Sequence, residues 1–173
     1  MPDLLWSPDM SVGCDALDAD HRALLALVRQ LDQALRKQAP FEVVADLLTA
    51  YLSLNQRHSE REERLHRLLG LPPDPDHDTA HTTFAAWAEG VRADYLESRD
   101  TGRIRAVLPI IIDWWYRHVL DLDMVDRPAY QQHAGRIALL LDDAGLPAAA
   151  TPYAPAWSGG ETPALAMTAA PDH

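Results

Sequence analysis

Apolar residues recur along most of this chain at alternating spacings of three and four, the period of an amphipathic helix rather than a strand. The first stripe, His21, Leu24, Val28, Leu31 and Leu35, predicts a helix from Asp18 or Asp20, either of which could cap it, to about Lys37. A second helix is predicted from just after Pro40 to about Leu69, with Gly70 as its left-handed stop. Its seam is Val44, Leu48, Tyr51, Asn55, His58, Glu62, Leu65 and Leu69. Asp74 before Pro75 reads as a cap followed by a first-turn proline, opening a third helix with His77, His81, Phe84, Ala88, Val91 and Tyr95 on one face. After Asp100-Thr101-Gly102 a fourth helix carries Val107, Ile111, Trp114 and His118, with Pro109 expected to start or kink it.

Four amphipathic helices joined by short connections predict an all-α protein, an antiparallel up-down-up-down four-helix bundle packed near 20° and left-handed. Residues 1–17, punctuated by Pro2, Pro8 and Gly13, read as an irregular N-terminal arm. Residues 1–126 form the expected bundle domain, and 127–144 an appended helix carrying Ile137, Leu140 and Leu141, placed on the outside or end of the bundle. Residues 145–173 contain nine Ala and five Pro, which predicts a flexible tail with little to bury.

The seams are not purely apolar. His21, His58, Glu62, His77, His81, His118 and Asp123 fall on or beside them, and burying an unpaired imidazole or carboxylate costs on the order of 2–7 kcal/mol. A single His pair four residues apart is common on helix surfaces. Here two such pairs, His58 with Glu62 and His77 with His81, lie on seams, and all four helices contribute. A dinuclear metal centre would satisfy the set, because residues four apart share a face and a carboxylate can offer one oxygen to each of two cations. Imidazole and carboxylate without thiolate suit iron, then manganese, then zinc. The bundle-core di-iron sites built on Glu-x-x-His motifs are richer in carboxylate; five histidines to two carboxylates leave a more modest charge, which favours reversible ligand binding over strong oxidation.

Composition narrows the rest. Lys+Arg 15 against Asp+Glu 26 gives a net charge of −11, which argues against a nucleic-acid surface. Cys14 is the single cysteine, so no intrachain disulfide forms. The first residues lack a signal-peptide pattern and no apolar run is long enough to span a membrane, so a cytoplasmic location is expected. His133 and His173 are expected at the surface.

With these residues in place the chain resembles the hemerythrins, specifically the single-domain bacterial ones, over roughly residues 6–126. The matching motifs are Trp6 with Ser11-Val12-Gly13 and Leu17-Asp18-Ala19-Asp20-His21; His58-Ser59-Glu60-Arg61-Glu62-Glu63; His77-Asp78-Thr79-Ala80-His81-Thr82-Thr83-Phe84; and Trp114 through His118 to Asp123. The resemblance implies two non-haem Fe ions. His77, His81 and His118 would hold one, and His21 and His58 the other, which keeps an open position. Glu62 and Asp123 would bridge them together with an oxo or hydroxo oxygen. It implies reversible binding of O2 at the open position, for carriage, delivery or sensing, in a binding protein rather than an enzyme. The alternatives are a di-iron enzyme acting on peroxide or nitric oxide, or oxidising iron, and a metal-stabilised interaction module.

Spacing and resemblance diverge at one point. From His118 to Asp123 is five residues, about 140° around an ideal helix, so helical geometry favours Asp121; the family pattern favours Asp123, reachable if the helix ends or loosens after His118. Three residues also depart from the family: Ser59 replaces an aromatic, His66 a methionine and Trp115 a leucine. Trp115 and His66 are candidates for the O2 pocket. Trp115 could narrow it or simply fill core volume. His66 could line the pocket, donate a hydrogen bond or bind metal, or sit partly exposed at the end of the bundle.

Overall fold

The computed structural model describes residues 5–143; Ala144 and the expected tail at 145–173 lie outside them. The helices are α1 (Asp15–Arg36), α2 (Phe41–Leu69), α3 (Pro75–Ser98), α4 (Thr101–Arg117) and α5 (Arg127–Asp143). The first four form an all-α four-helix bundle in which α1 packs on α2 and α4, and α3 on α2 and α4. Among the described residues no helix is long and apolar enough to cross a membrane.

Local chemistry accounts for most of the boundaries. Gly70 adopts φ 69° and ends α2 with its N–H on the Arg67 carbonyl. Asp74 caps α3 by accepting from the N–H groups of Asp76 and His77, which fixes the backbone from which the His77 side chain leaves. Asp100 caps α4 through the Gly102 N–H.

Four expectations need correction. The first helix begins at Asp15 rather than at a capping Asp18 or Asp20. Asp18 instead reaches back to the arm, accepting from the Val12 N–H at 2.8 Å and the Ser11 hydroxyl at 2.5 Å, and Asp20 is fully buried. The arm is partly structured, with a 3₁₀ turn at Pro8–Met10 and Val12 and Cys14 in the interior. Pro109 does not start α4 but lies inside it, on the exposed side, where water can take the backbone acceptor that a proline leaves unpaired. Finally, α4 buries Ile104, Leu108, Ile111, Ile112 and Trp115, while Val107 and Trp114 are half-buried.

Two apolar clusters result. The main core runs from Leu24 to Leu35 on α1, Val44 to Leu54 on α2, Phe84 to Tyr95 on α3 and Ile104 to Val119 beyond α4. A smaller one joins the arm, the end of α2 and α5 through Val12, Cys14, Ala16, Leu17, Leu65, Tyr130, Ile137 and Leu141. Thus α5 closes the end of the bundle, as the buried Ile137 and Leu141 require; His133 on it is half-buried rather than exposed. Gly13 makes the arm's entry possible. Its φ of 80° is costly for other residues, and a β-carbon there would meet Gln131 of α5 at 2.9 Å.

Candidate metal centre

Between the two clusters lies a polar layer. Along α1 the interior order is Leu17, His21, Leu24, and along α2 it is Leu54, Asn55, His58, Glu62, Leu65. The same layer receives His77 and His81 from the first turns of α3. All seven candidate ligands are buried, none more than 4% exposed.

The last two arrive through a change of helical winding. After Arg117 the chain passes into a π turn, His118–Leu122, followed by a 3₁₀ turn, Asp123–Asp126. The Asp123 N–H bonds the His118 carbonyl, five residues back, so the wider turn carries Asp123 round to the face of His118. Asp121 is exposed.

The side chains converge through their ring Nε2 atoms. His81 and His118 approach to 2.8 Å, His77 and His118 to 3.4 Å, and His21 and His58 to 3.3 Å. Asp123 divides its carboxylate between the groups: Oδ1 stands 3.1 Å from His77 and 3.0 Å from His118, and Oδ2 stands 2.9 Å from His21 and 3.9 Å from His58. Glu62 Oε2 is 3.5 Å from both His77 and His81 and 3.8 Å from His58.

These contacts are poor hydrogen bonds. Both oxygens of Glu62 and both of Asp123 are buried without a hydrogen-bond partner, although ring nitrogens surround them. Lone pairs aimed at shared points are what cations need. A first-row ion holding N and O at about 2.1 Å sets adjacent ligand atoms roughly 3 Å apart, the spacing found here. Three sets of ligand atoms lie within 4.8 Å of one another: His58, Glu62, His81 and His118; Glu62, His77, His118 and Asp123; and His21, His58 and Asp123. The residues fit a bound metal.

Electrostatics prepares the same donors. Burial and the neighbouring His21 push His58 well below its usual range, and burial with His118 pushes His81 down to about 2. Both rings are therefore neutral, as ligands must be. Burial and the Asp123 carboxylate hold Glu62 well above the usual carboxylate range. Burial acts the same way on Asp123, but His118, His21 and His77 outweigh it and hold Asp123 well below that range. At His77 burial is likewise outweighed, by Asp123, and the ring is raised. Without a cation the two buried carboxylates oppose each other's ionisation. A metal would remove that conflict.

The surroundings are asymmetric. Trp114 stacks on His118 at 4.6 Å and 13°, and Phe84 stacks on Trp114 at 3.6 Å and 7°. Trp115 is 2% exposed and meets His21 edge-on at 6.4 Å, with Trp6 stacked over the same ring. His66 lies elsewhere, 2.7 Å from Asp126 and with its ring 6.3 Å from both His77 and Tyr130. The two pocket candidates are thus separated: Trp115 adjoins the His21 side and His66 the His77 side.

Asp20, Arg61 and Tyr130 escaped the sequence reading. Asp20 and Arg61 pair in the interior beside His58. A signal was present, since Leu17, Asp20, Leu24, Leu27, Leu31 and Ala34 continue one three-four seam on α1, and Arg61 follows Leu47 and Leu54 at intervals of seven. Tyr130, fully buried on α5, has its hydroxyl pushed far up by burial and by the nearby Glu62.

The comparisons with known proteins agree with this geometry. The family described as the hemerythrin HHE cation binding domain matches residues 12–130. A bacteriohemerythrin of Stenotrophomonas maltophilia (strain R551-3) is 23% identical over 139 residues, covering 78% of this chain and 86% of that protein. No solved structure matches significantly. With the match spanning the whole bundle and every polar residue of its buried layer, the chain belongs to the hemerythrin family.

Proposed function

We propose that this chain is a non-haem di-iron protein that binds O2 reversibly. The observation that carries this reading is the division of Asp123, one oxygen toward His77 and His118 and the other toward His21 and His58. A carboxylate so placed suits two cations rather than one. His77, His81 and His118 would hold the first iron, His21 and His58 the second, with Glu62 and Asp123 shared between them. Three histidines against two would leave the second ion short of one protein ligand, where a diatomic molecule could enter. When bound, the ferrous pair supplies the electrons that make O2 a ligand.

The chain's own residues hold, orient and enclose that site. Trp114, clamped between Phe84 and His118, fixes the plane of the His118 ring. Trp115 and Trp6 cover His21 and keep bulk water from the two-histidine side, which slows loss of a bound ligand by protonation. O2 is the proposed partner, and carriage, local delivery and sensing are all roles that such binding supports.

The test is optical spectroscopy of the anaerobically reduced, iron-loaded protein before and after O2, with iron counted per chain. Two irons per chain and an oxygenated band that disappears on deoxygenation are expected. One iron per chain would end the dinuclear reading, and rapid turnover with peroxide or nitric oxide in place of a reversible band would make the protein an enzyme.

A further inference from the structure

We propose that Asp20 and Arg61 form a buried orienting pair that holds the His58 ring, and that they set how tightly the two-histidine half of the centre binds its ion. The inference rests on the dinuclear reading above and goes beyond it, because neither residue is a ligand in that reading. Asp20 directly precedes His21 on α1, and Arg61 directly precedes Glu62 on α2. They meet in an ion pair with Asp20 fully buried and Arg61 2% exposed. Desolvating two charges costs several kcal/mol per ion, and apolar residues of similar volume often serve stability as well or better. Stability alone is therefore a weak reason for this pair in a leucine-rich seam.

Its position supplies a better one. Asp20 Oδ2 stands 3.8 Å from His58 Nδ1. That nitrogen is otherwise buried without a hydrogen-bond partner, as is Asp20 Oδ1. A small shift of the ring toward Asp20 brings the two within hydrogen-bonding distance. Asp20 would then accept the Nδ1 proton, which leaves the Nε2 lone pair facing Glu62 and Asp123. A metal-ligating histidine needs this tautomer, and a carboxylate behind the ring is a common way to secure it. Arg61 completes the device by neutralising Asp20, so the ring is oriented without adding net negative charge beside Glu62 and Asp123. His21, His81 and His118 also have buried, unpartnered Nδ1 atoms, but among the described residues no carboxylate contact to those three nitrogens is found. The pair therefore acts on one half of the centre.

The test is anaerobic titration of the full-length, metal-free chain with ferrous iron against a competing chelator. The wild type is compared with Asp20→Leu/Arg61→Met, which removes both charges and fills their volume. The double variant should melt, metal-free, at or above the wild-type temperature. It should bind one iron as the wild type does and the second roughly 10–100-fold more weakly, the usual effect of losing a residue that orients a ligand. Arg61→Lys, which keeps the charge, should retain both ions. Two irons bound with wild-type affinity by the double variant would overturn the proposal, and so would equal weakening of both. A wild-type chain that binds fewer than two irons would overturn the dinuclear reading, and this inference with it.

Discussion

The upper part of this bundle and the polar layer beneath it draw on the same four helices and the turns that follow α4, under opposite rules. Above, Leu31, Leu35, Leu48, Ile104 and Leu108 bury apolar surface against one another, and each fully buried side chain contributes roughly 1.5–3 kcal/mol whatever else is bound. Below, His21, His58, Glu62, His77, His81, His118 and Asp123 are equally buried, yet their mutual contacts are short, poorly directed and in part repulsive. The upper region folds the chain. The lower one borrows that order to hold unfavourable groups where a cation can use them.

The largest difference should therefore appear when metal is removed. A ligand present at a thousandfold over its Kd stabilises by about 4 kcal/mol, so two ions at that excess contribute about 8 kcal/mol. Calorimetry of chelator-treated and iron-loaded protein should show a large drop in melting temperature. His77→Ala and His81→Ala should lower iron content and melting temperature together. A metal-free chain that melts as high as the loaded one would erase the contrast between the two regions.

Leu108→Ala should act from the other side. Leu108 is 1% exposed within the main cluster, and such truncations cost about 2–5 kcal/mol. The loss should be similar in metal-free and loaded protein, and the iron content unchanged. A loss seen only in the loaded form would mean that the apolar core is not independent of the layer below.

A smaller effect follows from protonation of the metal-free protein. Folded His81 takes a proton only near pH 2, and His58 is also well below its usual value, whereas in the unfolded chain both titrate near about 6.5. The unfolded state therefore binds more protons below about pH 6.5, and each of these histidines withdraws about 1.4 kcal/mol of stability per pH unit as pH falls. Glu62, raised when folded, acts in the opposite sense. Urea melts of metal-free protein between about pH 6.5 and 5 should give a shallower dependence for His81→Gln than for the wild type. Equal slopes would show that His81 becomes protonated in the folded protein.

What the sequence revealed follows the same division. The seams of α1 to α3 were legible because apolar period and helix caps are local properties: Gly70 and Asp74 stop and start helices through their own backbones and side chains. The convergence of His21, His58, Glu62, His77, His81 and His118 was legible because they interrupt those seams. What stayed hidden depends on long-range pairing or on irregular winding. Asp18 and Asp20 both look like caps until the arm folds over the first and Arg61, 41 residues away, is brought beside the second. Pro109 reads as a helix start or kink because nothing in the sequence says that its side of α4 faces water. Trp114 and Trp115 are adjacent aromatics, and only the packing against Phe84 and His21 assigns one to a stack and the other to the interior.

The finest test concerns the π turn. Asp121 and Asp123 are two residues apart, and on a regular helix Asp121 would share the face of His118. The extra residue in the turn reverses this, leaving Asp121 exposed and Asp123 fully buried between the histidines. Asp121→Ala should alter stability by no more than about 0.5 kcal/mol, as surface substitutions do, and leave the iron spectrum unchanged. Asp123→Ala should remove the carboxylate that faces both histidine groups, lower the iron count and abolish the spectrum of the coupled pair. The reverse outcome would mean that the chain winds as a regular helix through His118–Leu122, and the polar layer would lose the group that joins its two halves.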